Sequence, residues 1–218
     1  MAAMRRLSIF AVCLFAFALT FGSGERFVVS AGAQTGSSAR QSTPDTMTTG
    51  EDGEETEDRS ARLDRLFHRL KRESDPTVAA QTANAISNIW QESGSDTVDQ
   101  LMKWAATARD KKDYVTALDL LDQVLVLEPD YPEGWNQRAV VHFLMTDYAK
   151  SMADIDHVLS LEPRHFGALA GMAGIFKAIG DDELAMKALQ RVLAVYPADR
   201  EAQDRLAKIA DTLAGNNI

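Results

Sequence analysis

The stretch DYVTALDLLDQVLVLEP at 113–129 decides the reading of this chain, because it returns as DYAKSMADIDHVLSLEP at 147–163 and as DDELAMKALQRVLAVYP at 181–197. Each copy opens on an acid and closes on a proline. The prolines are Pro129, Pro163 and Pro197, an interval of 34 residues twice over. A period held that strictly marks stacked units that cover one another's faces.

With the proline at position 32, the units run 98–131, 132–165 and 166–199. Their second halves carry Leu121, Val124 and Leu125; Ile155, Val158 and Leu159; and Leu189, Val192 and Leu193, offsets that share one face of a helix. The first halves do the same with Leu101, Trp104 and Ala105; Trp135, Ala139 and His142; and Leu169, Met172, Ala173 and Phe176. Each unit is thus expected to be a helical hairpin. Ala105, Ala139 and Ala173 at position 8, with Ala117, Ser151 and Ala185 at position 20, let the two backbones approach. Lys112-Asp113, Thr146-Asp147 and Gly180-Asp181 mark the turns, where the acid can cap the next helix.

This pattern resembles the tetratricopeptide repeat (TPR) family over residues 98–199. The match is carried by Leu101, Ala105, Tyr114, Ala117 and Pro129; by Trp135, Ala139, Tyr148 and Pro163; and by Leu169, Ala173, Gly180, Ala185 and Pro197. The resemblance implies an all-α fold, a right-handed α-solenoid of stacked hairpins, and a structural ion pair between Arg138 and Asp154. It implies a binding scaffold without chemistry of its own, whose concave face comes from first-helix positions 2, 5, 9, 12 and 13. Here the candidate groove residues are Met102, Arg109, Glu133, Asn136, Val140, Phe143, Leu144 and Lys177. Phe143, Val140, Leu144 and Met102 suit an apolar anchor, Asn136 a peptide backbone, and Arg109 or Lys177 a carboxylate. Packing against the next unit is the competing use of the same side chains. One subgroup of the family clamps a C-terminal carboxylate with Lys and Asn at positions 5 and 9 and bases at positions 2 and 6 of a later unit. Met102, Ala106, Gly167 and Gly171 occupy those places here, so that clamp is not expected.

Outside the repeat, residues 60–97 read as a degenerate preceding hairpin with a spacer from Gly94 to Thr97. Leu63, Leu66, Phe67 and Leu70 form an apolar stripe, and Asp75-Pro76 starts a second helix. Arg62, Arg65, Arg69 and Arg72 lie opposite that stripe, which raises a rival reading: a basic amphipathic helix, 61–72, resting on an anionic membrane surface. Residues 200–218 read as a capping helix with Ala202, Leu206, Ile209 and Leu213 inward and Arg200, Asp204, Lys208 and Asp211 outward.

Residues 1–33 have the form of a signal peptide. Arg5 and Arg6 precede an apolar run, Leu7 to Phe21, and Ala31-Gly32-Ala33 supplies a small-x-small cleavage pattern. An uncleaved anchor is the alternative, but 15 residues fall short of a bilayer span. Residues 34–59 hold seven acids, two bases and Met47 as their one large apolar residue, the composition of a disordered acidic tether. Cys13 is the lone cysteine, inside the apolar run, so no disulfide is expected.

The net charge of -9 argues against nucleic acid as a partner, since phosphate binding needs clustered Lys and Arg. His68, His142, His157 and His165 show no ligand spacing, and no nucleophile, paired-carboxylate or phosphate-loop motif stands out. No metal, cofactor or catalytic residue is expected. The reading is an exported, non-catalytic adaptor that holds a protein or peptide in the cell envelope, most naturally the periplasm of a Gram-negative bacterium.

Overall fold

The computed structural model describes residues 51–215, with side chains from Arg59 onward. The leader 1–33, residues 34–50 of the acidic stretch, and 216–218 lie outside the described residues. Every regular element among those described is a helix.

Three hairpins follow the repeat. They are α3 (Asp96–Asp110) with α4 (Tyr114–Leu127), α5 (Pro132–Leu144) with α6 (Tyr148–Leu161), and α7 (Phe166–Ala178) with α8 (Asp182–Val195). A last helix, α9 (Arg200–Gly215), closes the stack by burying Ala202 and Ile209. The turn acids do what their position requires: Asp113, Asp147 and Asp181 accept from the backbone N–H of Thr116, Lys150 and Leu184, at 3.2, 3.4 and 2.9 Å. Just before each acid the chain turns left-handed, with φ of 61° at Lys112, 62° at Thr146 and 83° at Gly180. Bonds from Asp113 N to Ala108 O, Asp147 N to His142 O and Asp181 N to Phe176 O, each 2.9 Å, then seal the C-terminus of the first helix.

The small positions pack as the pattern requires, with Ala105, Ala139, Ala173, Ala117, Ser151 and Ala185 all buried. Ser151 keeps its hydroxyl satisfied by donating to Ala139 O at 2.8 Å. Between the second and third hairpins the core is Ile155, Val158, Leu169, Leu189 and Val192, continued by Ile209.

The N-terminal hairpin departs from expectation in two ways. Its first helix, α1 (Glu51–Arg72), begins inside the stretch read as a tether, so the boundary at Ser60 moves to Glu51. Six acids between 51 and 58 suit the first turns of a helix, whose macrodipole favours negative charge there. The hairpin of α1 with α2 (Pro76–Gln91) also does not sit as a further unit ahead of α3. Its buried residues Phe67, Leu70, Ala79, Ala83, Ile86 and Trp90 pack against Tyr196 and Ala198, in the loop between α8 and α9, and against Phe166. The hairpin folds back along the edge of the stack. Helix α3 starts at Asp96, so Thr97 is helical and the spacer shortens to Glu92–Ser95.

That docking explains Trp104, which was expected in the apolar stripe of α3 but is 54% exposed. Position 7 faces the second helix of a preceding unit: in the next hairpin Arg138 occupies it and reaches back 2.7 Å to Asp122 of α4. With α1 and α2 laid along the edge of the stack, Trp104 has no such helix to meet among the described residues.

Candidate functional site

The first helices α3, α5 and α7 present their position-2, -5, -9 and -12 side chains to a common concave side, and two clefts open there. The larger, about 600 Å³, includes Met102 and Arg109 of α3 and Glu133 and Gln137 of α5. Asn88 and Gln91 of α2, with Glu92, form another of its walls, so the docked hairpin narrows the groove. The smaller, about 240 Å³, lies between α5 and α7 and is lined by Asn136, Val140, Phe143, Ile155 and glycines of α7, with Arg205 of α9 at its edge.

The expected groove residues divide accordingly. Met102, Arg109 and Glu133 share the larger cleft, and Asn136, Val140 and Phe143 share the smaller. Leu144 and Lys177 line neither cleft. Leu144 is 45% exposed near the turn, and Lys177 is tied to Asp182 at 2.7 Å across the turn into α8. The carboxylate role assigned to Lys177 is therefore taken by an internal partner.

Glu133 is likewise committed inward. It is buried, accepts from Asn136 Nδ2 at 3.2 Å and from Gln137 Nε2, and lies 3.2 Å from Nε2 of buried His165. His165 Nδ1 accepts the Ala168 N–H at 3.1 Å and so caps α7, which leaves Nε2 to carry the proton toward Glu133. Gln137 Oε1 in turn accepts from Arg109 Nη1. This chain of polar groups, Arg109 to Gln137 to Glu133 to His165, is absent from the sequence reading because its members have no motif spacing. It orients Arg109 at the larger cleft and fixes Asn136 at the smaller.

Arg138 and Asp154 form the ion pair the resemblance implied, through Nε to Oδ2 at 3.0 Å and Nη2 to Oδ1 at 2.7 Å. With Asp122 as a third member the guanidinium ties α4, α5 and α6 together. His142 is buried beside this pair, 3.9 Å from Asp154, and its Nδ1 has no hydrogen-bond partner. Burial pushes its imidazole below the ordinary histidine range; Asp154 opposes that shift and Arg138 adds to it.

The membrane-surface reading of 61–72 loses its apolar half. Phe67 and Leu70 are buried in the domain core and Leu63 and Leu66 pack against it, so that face is not free to enter lipid. Among the described residues no helix is long and apolar enough to cross a membrane, and no cluster of His, Cys, Asp and Glu has the makings of a metal site.

Stacked helical hairpins around a concave groove define an α-solenoid of the kind used as a protein–protein interaction scaffold. No protein-family model matches the chain. A TPR repeat-containing protein of Rhizobium etli is 53% identical over 155 residues, which cover 71% of this chain and 76% of that protein. The chain belongs to the tetratricopeptide repeat proteins. Among solved structures, the first TPR of Spaghetti (RPAP3) bound to an HSP90 peptide matches 55% of this chain and 95% of its own, with TM-score 0.52 and 24% identity. MamA matches over 78% of this chain and 86% of its own, with TM-score 0.50 and 15% identity. These likenesses are of fold.

Proposed function

We propose that the protein is a non-catalytic adaptor that holds an extended segment of another protein along the concave side of α3, α5 and α7. The observation that carries this reading is the pair of open clefts on one face of the stack, one of mixed lining and one mainly apolar, with Met102, Asn136, Val140 and Phe143 turned into them. An extended chain advances about 3.3 Å per residue, so a peptide of a few residues spans neighbouring first helices. The Spaghetti TPR domain and the TPR2B domain of yeast Sti1 were solved with HSP90 and pHsp70 partners respectively, which supports a peptide or protein ligand. The leader pattern at 1–33 supports export, with cleavage favoured over anchoring, and export supports work in the envelope of a Gram-negative bacterium.

A photo-crosslinking amino acid at Val140 tests the groove against the same probe at Val126, which is 82% exposed on α4. The groove position is expected to yield a discrete adduct in cells that Phe143→Asp abolishes and that the Val126 position does not give. Identical adducts from both positions would remove the groove reading. Fractionation with mass measurement of the mature N-terminus tests export; a cytoplasmic chain of full length would remove it.

A further inference from the structure

Arg205 carries an unspent charge beside an apolar cavity. Its guanidinium makes no hydrogen bond among the described residues, and its one ionic contact is Glu201 Oε1 at 3.8 Å, on a side chain 82% exposed. Yet it belongs to the lining of the 240 Å³ cavity between α5 and α7, where Val140, Phe143 and Ile155 supply apolar wall. At the other side Asn136 donates its amide hydrogens to Glu133, and its Oδ1 accepts nothing among the described residues.

The cavity is open for lack of side chains, not for lack of room. A Cβ on Gly174 would meet the Phe143 ring at 3.7 Å and Arg205 Nη2 at 3.8 Å, ordinary contact distances. Alanine would fit there and favour the helix, so packing alone does not call for glycine. An apolar cavity of about 150 Å³ is enough to hold a benzene ring, and this one therefore has space for a leucine or methionine side chain.

We infer that this cavity is the specificity pocket for an aliphatic residue followed within two positions by an acidic side chain, the carboxylate pairing with Arg205 and a backbone N–H donating to Asn136 Oδ1. The inference rests on the groove reading above and narrows it. The spacing follows from α5: Asn136 and Phe143 lie two turns apart, about 10 Å at 1.5 Å per residue, which an extended chain covers in about three residues. Arg205 sits at the Phe143 end, as the contacts around Gly174 show. A lysine in place of the acid would meet like charge there. Neither Arg109 nor Lys177 serves this pocket, since neither lines it.

The test is a titration of the ¹⁵N-labelled full chain with a blocked octapeptide, acetyl-Gly-Ser-Gly-Leu-Asp-Gly-Ser-Gly-amide. The expected result is saturable shifts at Asn136, Gly171, Gly174 and the Arg205 side chain, with a millimolar dissociation constant as befits a single anchor. Replacing Leu by Ala should weaken binding about tenfold or more, and replacing Asp by Asn about tenfold. Arg205→Gln should weaken the parent peptide equally and erase the preference for Asp over Asn. Gly174→Leu, which fills the pocket, should abolish binding while circular dichroism stays unchanged. Lys208→Gln, which removes an exposed cation from the same helix away from the pocket, should change nothing. Equal binding of the Asp and Asn peptides would overturn the inference, as would tighter binding of a peptide ending in leucine with a free carboxylate, or no shift up to about 5 mM. Shifts confined to Met102 and Arg109 would overturn it and leave the groove reading standing, whereas loss of the Val140 adduct in cells with the peptide shifts intact would strike the groove reading alone.

Discussion

Trp90 of α2 lies flat on the imidazole of His165, ring centroids 4.1 Å apart and planes within 12°. The same histidine caps α7 and meets buried Glu133 of α5, so one contact joins the N-terminal hairpin, the third repeat and the polar network of the groove. Arg164 reinforces the joint: it pairs with Glu162 at 2.9 Å and Asp64 at 2.6 Å and lies 4.2 Å over the Phe67 ring. Tyr131 adds a bond from its hydroxyl to Gln91 O at 2.9 Å. The hairpin is thereby a brace along the edge of the solenoid.

Two tryptophans on neighbouring helices should respond in opposite ways to truncation. Trp90→Ala removes a side chain only 5% exposed and is expected to cost about 3–5 kcal/mol. Trp104→Ala removes one that is 54% exposed and is expected to stay within about 0.5 kcal/mol of wild type. Urea denaturation followed by far-UV circular dichroism separates the two, and equal costs would contradict the edge docking.

Removing Arg138 should be worse than removing the pair. The Asp154 side chain is 6% exposed, so Arg138→Leu leaves a buried carboxylate without its bidentate partner, at a cost of about 3–5 kcal/mol. The double variant Arg138→Leu with Asp154→Leu is expected to recover most of that loss. A double-mutant cycle from urea midpoints checks it; simple additivity would show the pair to be uncoupled.

Much of this architecture was legible because it repeats. The prolines, the small residues at positions 8 and 20, and the turn acids recur at a fixed interval, and local chemistry decides what each does; Asp113, Asp147 and Asp181 cap helices in any context that forms them. The stripe Leu63, Leu66, Phe67 and Leu70 shows that α1 buries a face but carries no word of what covers it. That is settled by Tyr196 and Ala198, which stand between α8 and α9, and by Phe166 at the first position of α7, none of them part of an apolar helical stripe. Arg205 was equally silent, since it belongs to neither the apolar stripe nor the charged outer face read for its helix. Asn136, Val140 and Phe143 share one cleft because homologous position predicts orientation; Lys177, at the same position as Phe143, pairs instead with Asp182, an acid within reach across the turn.

Thr146 should be improved by glycine. Its φ of 62° is left-handed, a region costly for a β-branched residue, whereas Gly180 holds the equivalent turn without that cost. Thr146→Gly gains roughly 1–2 kcal/mol of relieved strain against about 0.4–1 kcal/mol lost to a freer unfolded chain. A small net rise in melting temperature by calorimetry is expected, and a fall would mean that the Thr146 side chain stabilises the turn by more than its strain.

His142 should make the domain acid-sensitive. Its imidazole is buried, and burial holds its folded-state affinity for a proton below that of the unfolded chain, where the ordinary value is about 6.5. The unfolded state therefore binds more protons as pH falls, and stability rises with pH across this window. The contribution of neutral His142 is complete above about pH 6.5 and is lost as pH drops through the depressed folded value. Asp154 on α6 and Asp147 at the turn favour the charged ring, Arg138 on α5 and Lys150 on α6 oppose it, and burial outweighs them all. Replacing the ring by phenylalanine keeps the volume, removes the unpartnered Nδ1, and is expected to stabilise the domain at neutral pH by about 1 kcal/mol. The diagnostic is the slope. Between pH 7.5 and 5.5 the urea midpoint of wild type should fall further than that of His142→Phe, and parallel profiles would place the acid sensitivity elsewhere.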